Sequence, residues 1–395
     1  MEKPSPSWHL MKALLEDTLK AGISVHAIQR HYKEPVYDTP FPREILEHPN
    51  FTYSQIDSDE VDRKAFVKRY LGGIGYARRA KREIKKHNDF DMVFVQSAPT
   101  SLFYLNAVRS CAKARPVLYN SQDMFPGSAI SSGVMKKKWM QNIFFFLQKF
   151  AYKKANVITA ISEDMKKKLM EQGVSEDKIR VIVNWYDDAA VREIPWVENR
   201  FASKYELSQD KFYVQYAGTM GNVFNHKIIL DVAERLKEYS DIEFQMIGNG
   251  VNREPFEKSA EERGLSNIVF YPLQPQDTVA DVYSACSVCL IPLKQGVIGN
   301  SVPSKAGLLM ACGRVIVNSV DKDSDYYAIF EREDIGRSAG CDEPDLLAEH
   351  ILYYYKNPDI RRESGERAKE YGGKYYSRTY NTEKYTSLFK EMVEK

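Results

Sequence analysis

Cysteine is scarce: the chain has five in 395 residues, an odd number scattered along its length. That excludes a disulfide framework and suits a reducing cytoplasm. Long apolar runs are lacking too. Mean hydropathy is −0.47, and no stretch approaches the ~18–20 residues of a membrane span. The opening, MEKPSPSWHL, lacks the apolar core of a secretory signal. The seven histidines show no H-E-x-x-H spacing, and no G-x-S-x-G elbow occurs. Zinc hydrolases and serine hydrolases of those types are therefore not indicated. Net charge is only +2, but it is uneven. Residues 1–190 hold 30 Lys/Arg against 22 Asp/Glu, net +8, and residues 191–395 are net −6. A basic half points to an anionic partner: nucleic acid, a membrane surface or a phosphorylated substrate.

What is present is an alternation of short apolar strands and helices, the pattern of parallel βαβ units. In the first half the spacing predicts a helix over Leu10–Lys20, a strand over Ile23–Ile28 and a long charged helix over Val61–Lys86. Strands follow at Asp91–Gln96, Pro116–Tyr119, Val157–Ile161 and Ile179–Val183. Residues 187–207 break the rhythm and read as a linker. The alternation restarts at Phe212–Ala217 and continues through Ile242–Ile247, Ile268–Tyr271, Val288–Ile291 and Val315–Asn318, with helices between and after them. Two doubly wound units imply a cleft, with ligands outside the carboxyl ends of the strands.

The first unit opens on a helix, whereas a doubly wound domain ordinarily opens on a strand. Pro4 and Pro6 exclude a central strand over the first nine residues. The expectation is that no strand precedes the Leu10–Lys20 helix, and that Ile23–Ile28 pairs beside an unfilled or substituted central position. The first half should then fold less well than the second.

Four loops at strand ends of the second half could hold a phosphate-bearing ligand. Gly218-Thr219-Met220-Gly221-Asn222 joins a strand to a helix, where glycines let backbone N–H groups approach an anion. Asn222 or Asn225 could cap that helix. Ser301-Val302-Pro303-Ser304-Lys305 places a hydroxyl, backbone donors and an ammonium at another helix start. Gly248-Asn249-Gly250 is a bare G-x-G without the third glycine of a dinucleotide fingerprint. Leu273-Gln274-Pro275 ends the next strand. Each alone is also an ordinary turn. Cys286 and Cys289 have C-x-x-C spacing without a second pair, and read as buried apolar residues.

Met135–Lys154 has Trp139, Ile143, Phe146, Leu147 and Phe150 at helical spacing, with Phe144 and Phe145 beside them. Lys136, Lys137, Lys138, Lys149, Lys153 and Lys154 flank them. The ordinary reading is a helix packing this face on its own sheet. An anionic membrane surface is the alternative.

The order of these segments resembles the retaining GT-B glycosyltransferases of family 4 over nearly the whole chain. YAGTMG resembles their phosphate loop, MIGNG a strand end, and YPLQPQDTVADVYSACSVCLIPL the segment that holds the base. VPSKAGLLMACGRVIV resembles a stretch of the enzymes that build bacterial surface polysaccharides. QDMFP, at Gln122–Pro126, resembles the D-x-W-P segment of that branch, and VIVNWYD its hinge.

The resemblance implies two Rossmann-like doubly wound domains facing across a cleft. The first, residues 1–190, lies on the acceptor side; residues 191–207 link it to a nucleotide-sugar domain at 208–375. A final helix over 376–395 crosses back. It implies transfer of a sugar from a nucleotide-sugar, UDP-linked, to a glycan or polyprenyl-linked acceptor, with no metal, no cofactor and no nucleic acid. Lys305 and Asp123 are the candidate catalytic residues. Gly218, Thr219, Gly221, Asn222, Gly248, Gly250, Leu273, Gln274, Ser301, Val302, Pro303 and Ser304 are the candidate substrate contacts. In one departure, the family's pair of glutamates falls at Ser301 and Leu308, neither a carboxylate. Lys227 is offset from the usual diphosphate-gripping position. The alternatives are a GT-B-like sugar-nucleotide epimerase and a non-catalytic binding protein.

Overall fold

The computed structural model describes residues 8–32, 41–58, 66–87, 89–98 and 100–394. Among them no helix is long and apolar enough to cross a membrane.

The second half is built on six parallel strands: β7 (Phe212–Ala217), β8 (Ile242–Ile247), β9 (Ile268–Tyr271), β10 (Val288–Pro292), β11 (Val315–Ser319) and β12 (Gly336–Ala339). Their order is β12-β11-β10-β7-β8-β9. Every residue of β7, β8, β10 and β11 is buried. These strands need helices on both faces, which explains why they are largely apolar, with the buried Gln215, Gln245 and Glu243 side chains hydrogen-bonded in a row. One face packs Phe244, Met246, Val288 and Val317 against Ile229, Val232 and Ile351. The other packs Ile247, Cys289, Ile291 and Ile316 against Leu309, Met310 and Phe330. The strand order reverses between β7 and β10, which opens a crevice at their carboxyl ends.

The first half holds two separate parallel sheets. One pairs β1 (Val25–Tyr32) with β2 (Phe51–Ser58), Val25 opposite Phe51. The other runs β3 (Val93–Gln96), β4 (Val117–Asn120), β5 (Val157–Ala160) and β6 (Ile179–Val181) in sequence order. Among the described strands, β1 pairs only with β2 and β3 only with β4. Side chains from both sides of this break share cores: Ile28 and Val93 pack against the cluster that holds Val95 and Leu105, and Ile23, Met92 and Phe94 against the one that holds Leu118 and Tyr385. Residues 1–7, on which the expectation about the opening strand turns, lie outside the described residues.

A helix over Trp8–Lys20 packs Leu10, Ala13 and Leu14 against Tyr385, Leu388 and Phe389 of the last helix, Arg378–Glu394. Arg378 grips Asp17 at 2.7 Å and Glu16 at 2.8 Å. Tyr385 donates to the Asn120 side chain at the end of β4, 2.9 Å away. The last helix thus joins the β3–β6 sheet, while the preceding helix, Pro358–Tyr375, packs on the six-stranded one.

Several elements differ from the sequence expectation. The eight-residue strand β2, the four-residue strand β12 and the helix Asp325–Arg332, capped by Ser324, are additional to the expected elements. The charged helix runs over Phe66–Ile84, and residues 59–65 lie outside the described residues. Residues 196–207 are not a free linker. Trp196 stacks on Tyr213, Phe201 is buried, and Arg200 pairs with Asp281 at 2.7 Å. That aromatic and ionic anchoring makes them part of the second domain.

The Lys138–Tyr152 helix corrects the packing expectation for its apolar face. Trp139, Ile143, Phe146 and Phe150 are exposed. The sheet instead takes Leu147, Ala151 and Tyr152, on another side of the same helix.

Candidate functional site

The site is the crevice between the carboxyl ends of β7 and β10. The chain leaves β7 at Ala217 into the loop 218–225, where the Asn225 side chain accepts from Ile228 N and caps the helix His226–Arg235. Asn225, not Asn222, is the cap. From β10 the chain enters a long loop, 293–305, shaped by Asp321. The Asp321 carboxylate accepts from Gly296 N at 2.6 Å and Ile298 N at 3.0 Å. A short helix, Ala306–Ala311, follows.

Lys305, just before that helix, bends back to the first loop. Its Nζ donates to Ala217 O at 2.9 Å and lies 3.9 Å from the centre of the Tyr216 ring. Its ammonium is buried among these groups, and desolvation lowers its pKa to about 7. A Cβ added at Gly218, at φ +151°, would collide with that Nζ. The glycine leaves the room that brings cation and loop together.

The loops after β7 and β8 lock through their backbones. Gly218 N donates to Ile247 O at 2.9 Å, and Met220 N to Asn249 O at 2.9 Å. A Cβ at Gly248, at φ +131°, would land on the Gly218 carbonyl, and one at Gly250 on the Met220 carbonyl. These glycines serve loop-to-loop contact. Arg253 holds the same end of the sheet, donating to the carbonyls of Gly248 and Tyr271.

The remaining candidates spread along the strand ends. Thr219 and Asn222 are exposed and Gly221 half-buried. Leu273, 59% exposed, and Gln274, tied to Tyr205 OH at 3.0 Å, end β9 two strands from β7. Successive loops here are about 4.8 Å apart, so this row spans about 14 Å from β10 to β9. Ser301 and Pro303 are half-buried, Ser304 is exposed, and Val302 contacts the cores of both halves. Leu308 packs into the second core. Cys286 and Cys289 lie buried with sulfurs 3.1 Å apart.

Across the crevice stands the first-domain segment 122–127. Met124 N donates to Asn300 O at 2.9 Å, and Gly127 abuts the Asn300 side chain. Asp123 is exposed here, beside the crevice, and the protein packed around its carboxyl raises its pKa. Two further contacts hold the halves together. Asp164 accepts from Asp325 N at 2.7 Å and Tyr326 N at 3.0 Å, capping a second-domain helix. Lys168 Nζ donates to Ile298 O at 2.9 Å.

Sequence reasoning missed Lys294. It lies just past β10, and its ammonium donates to Asn222 O at 2.7 Å, beside the same loop. A lysine two residues past a buried strand was the available signal. The interdomain residues Asp164, Lys168 and Asn300 carried none, because their partners are more than a hundred positions away.

Comparisons with known proteins agree with this architecture. Residues 9–190 match the profile of Glycosyltransferase Family 4, and residues 197–371 that of Glycosyl transferases group 1. The chain is 26% identical over 235 residues to the "Probable glycosyltransferase WbjE" of Pseudomonas aeruginosa, covering 58% of this chain and 57% of that one. It is 27% identical over 157 residues to a protein named for colanic acid biosynthesis, the glycosyl transferase WcaI of Escherichia coli strain K12, covering 40% and 38%. The matches thus span about half the length of these relatives or less. The fold superposes on the Anabaena protein HepE, solved in complex with UDP, with a TM-score of 0.73 at 12% identity, covering 99% of this chain and 98% of that one. With both halves matched and the two-domain architecture shared, the chain belongs to the GT-B glycosyltransferases.

Proposed function

We propose that the chain transfers a sugar, with retention, from a UDP-linked donor to a glycan or polyprenyl-linked acceptor in surface polysaccharide synthesis. The observation that carries this reading is the convergence of Lys305 Nζ and the 217–221 loop at the switch point of the second sheet. A diphosphate placed there meets free N–H groups, the Lys305 ammonium and, at the loop's far side, Lys294. Fixed donors and cations stabilise the charge that builds on a departing diphosphate, the interaction that lowers the barrier to glycosyl transfer. The row of loops out to Leu273 gives the nucleoside a path along the strand ends. The segment 122–127 gives the acceptor a wall opposite the donor, with Asp123 as a titratable group on that segment. The names of relatives support the pathway: WcaI is named for colanic acid biosynthesis, and the HepE structure holds UDP. The setting we propose is the inner surface of a cell membrane, where a polyprenyl-linked acceptor would be presented.

Incubation with a panel of nucleotide-sugars and polyprenyl-phosphate acceptors tests this. Acceptor-dependent release of UDP supports it; tight UDP binding with no turnover supports a second reading, a nucleotide-binding protein without catalysis. Ser301 and Leu308 favour that second reading, since neither supplies a carboxylate to hold a donor sugar.

A further inference from the structure

The Lys138–Tyr152 helix carries two apolar sides, and only one is used by its own domain. At 100° per residue, Phe144, Gln148, Ala151 and Tyr152 fall on one side. Ala151 and Tyr152 are buried in the first-domain core, Gln148 is buried, and Phe144 meets Phe125 edge-on at 5.2 Å. On the opposite side Trp139, Ile143, Phe146 and Phe150 form a stripe about 60° wide. They are 62%, 48%, 61% and 44% exposed. Phe146 and Phe150 touch edge to face at 4.9 Å, so the stripe is continuous. Val134, just before the helix, is 60% exposed.

The charge around this stripe has one sign. Residues 124–162 contain no Asp or Glu and six lysines: Lys136, Lys137, Lys138, Lys149, Lys153 and Lys154. Lys136, Lys137, Lys138, Lys149 and Lys153 are exposed. The Lys153 ammonium sits 5.7 Å over the Phe150 ring, so cation and aromatic share a surface.

We infer that this helix docks on an anionic lipid surface, Trp139, Ile143, Phe146 and Phe150 entering the headgroup layer and the lysines pairing with lipid phosphates. The charge complementarity selects lipid over a second copy of this chain, since two such faces would bring twelve lysines together. Burial of the aromatic stripe and attraction of the lysines act together, as in interfacial amphipathic helices. The docking itself stands on the helix surface. Its use rests on the acceptor reading given above: Phe144 touches Phe125, and the adjoining Met124 bonds to Asn300 across the crevice. Docking would therefore set the donor–acceptor crevice beside the membrane, where a polyprenyl-linked acceptor has its phosphate.

Co-sedimentation with phosphatidylcholine vesicles, plain or carrying phosphatidylglycerol, tests the inference, with UDP binding measured separately. The expected result is binding to the anionic vesicles only. It should weaken about fivefold for each of Lys136, Lys137 and Lys138 changed to Gln, and fall as salt rises from about 0.1 M to about 1 M. Trp139 emission should shift to the blue on binding and be quenched by brominated lipid, and Trp139→Phe should remove that signal. The double variant Phe146→Asp, Phe150→Asp should lose vesicle binding at least tenfold while keeping UDP affinity. Equal vesicle binding by that variant would overturn the inference, as would no binding by the native chain. So would a dimer without lipid that the same variant dissolves. A chain that binds vesicles but not UDP would instead overturn the donor-site reading and leave the docking face standing.

Discussion

The Lys305 ammonium lies 2.9 Å from the Ala217 carbonyl oxygen, with the Tyr216 ring 3.9 Å away. A cation is thus held between two glycine-rich strand ends with no carboxylate among these contacts. In the free protein this is costly; against a diphosphate it is favourable. Lys305→Met should therefore act in opposite directions on two measurements. UDP affinity should fall about tenfold to a hundredfold, the worth of a charge-assisted phosphate contact. The unliganded protein should gain on the order of 1–3 kcal/mol in denaturant unfolding, because a desolvated charge is removed. A lysine that only packed would lower stability on removal and leave UDP affinity unchanged.

UDP affinity should depend on pH through the same group. Desolvation holds the free Lys305 at about 7, so above that pH binding must first recover a proton. Affinity should fall as pH rises from about 7 to 9, by up to about tenfold per unit, and the slope should vanish in Lys305→Met. Stability moves the other way. The unfolded lysine titrates near ~10.4, so the unfolded chain holds more protons between the two values. The contribution of Lys305 to stability therefore rises with pH from about 7 to about 10. Calorimetry across that range checks the first statement, and urea titration the second.

Two glycines of the site should respond differently. Gly248→Ala sets a Cβ against the Gly218 carbonyl at φ +131°. Backbone cannot yield cheaply, so the second domain should lose at least about 1–3 kcal/mol and UDP binding with it. Gly218→Ala carries backbone strain too, at φ +151°, but its Cβ meets the flexible end of Lys305 rather than backbone. It should cost less stability and chiefly displace the ammonium, weakening UDP binding about as much as Lys305→Met. Equal melting losses in the two variants would contradict this.

The clasp of Arg378 on Glu16 and Asp17 ties the last helix to the first. Burial pushes the Asp17 carboxyl up, but hydrogen bonds from Arg378 and Thr382 and the Arg378 charge outweigh it, and its pKa is lowered. Its contribution is present above the ordinary carboxylate value of ~3.9 and is lost as pH falls through the lower folded value. Arg378→Ala should cost about 2–3 kcal/mol at neutral pH, and the difference from the native chain should shrink in acid. Thermal unfolding at pH 7 and pH 3 measures it.

Much of this architecture was legible because it is written locally. The run Val288–Ile291 is apolar throughout, and Phe212–Ala217 is broken only by Gln215, whose buried amide bonds to Gln245, as suits strands buried on both faces. Strand ends rich in Gly, Asn and Ser marked the four loops. What was illegible depends on tertiary partners. Lys305 was expected to face a ligand, yet its resting partners are Ala217 and Tyr216, 88 and 89 positions away. The role of Gly248 is to admit the Gly218 carbonyl, which no motif announces. The aromatic helix had two apolar sides, and periodicity cannot say which one a sheet takes. Residues 196–207 lacked periodicity because their anchors are single contacts, such as Arg200 with Asp281.

In the proposed reaction, the crevice between Lys305 and the segment 122–127 carries a sugar from nucleotide to acceptor. The direct measurement is transfer of radiolabel from UDP-sugars to a polyprenyl-phosphate-linked acceptor, with UDP release followed in the same reaction. Label should appear in the lipid extract with equimolar UDP, and both should be lost in Lys305→Met at subsaturating donor. UDP bound at the site with no label moved from any donor to any acceptor would contradict it.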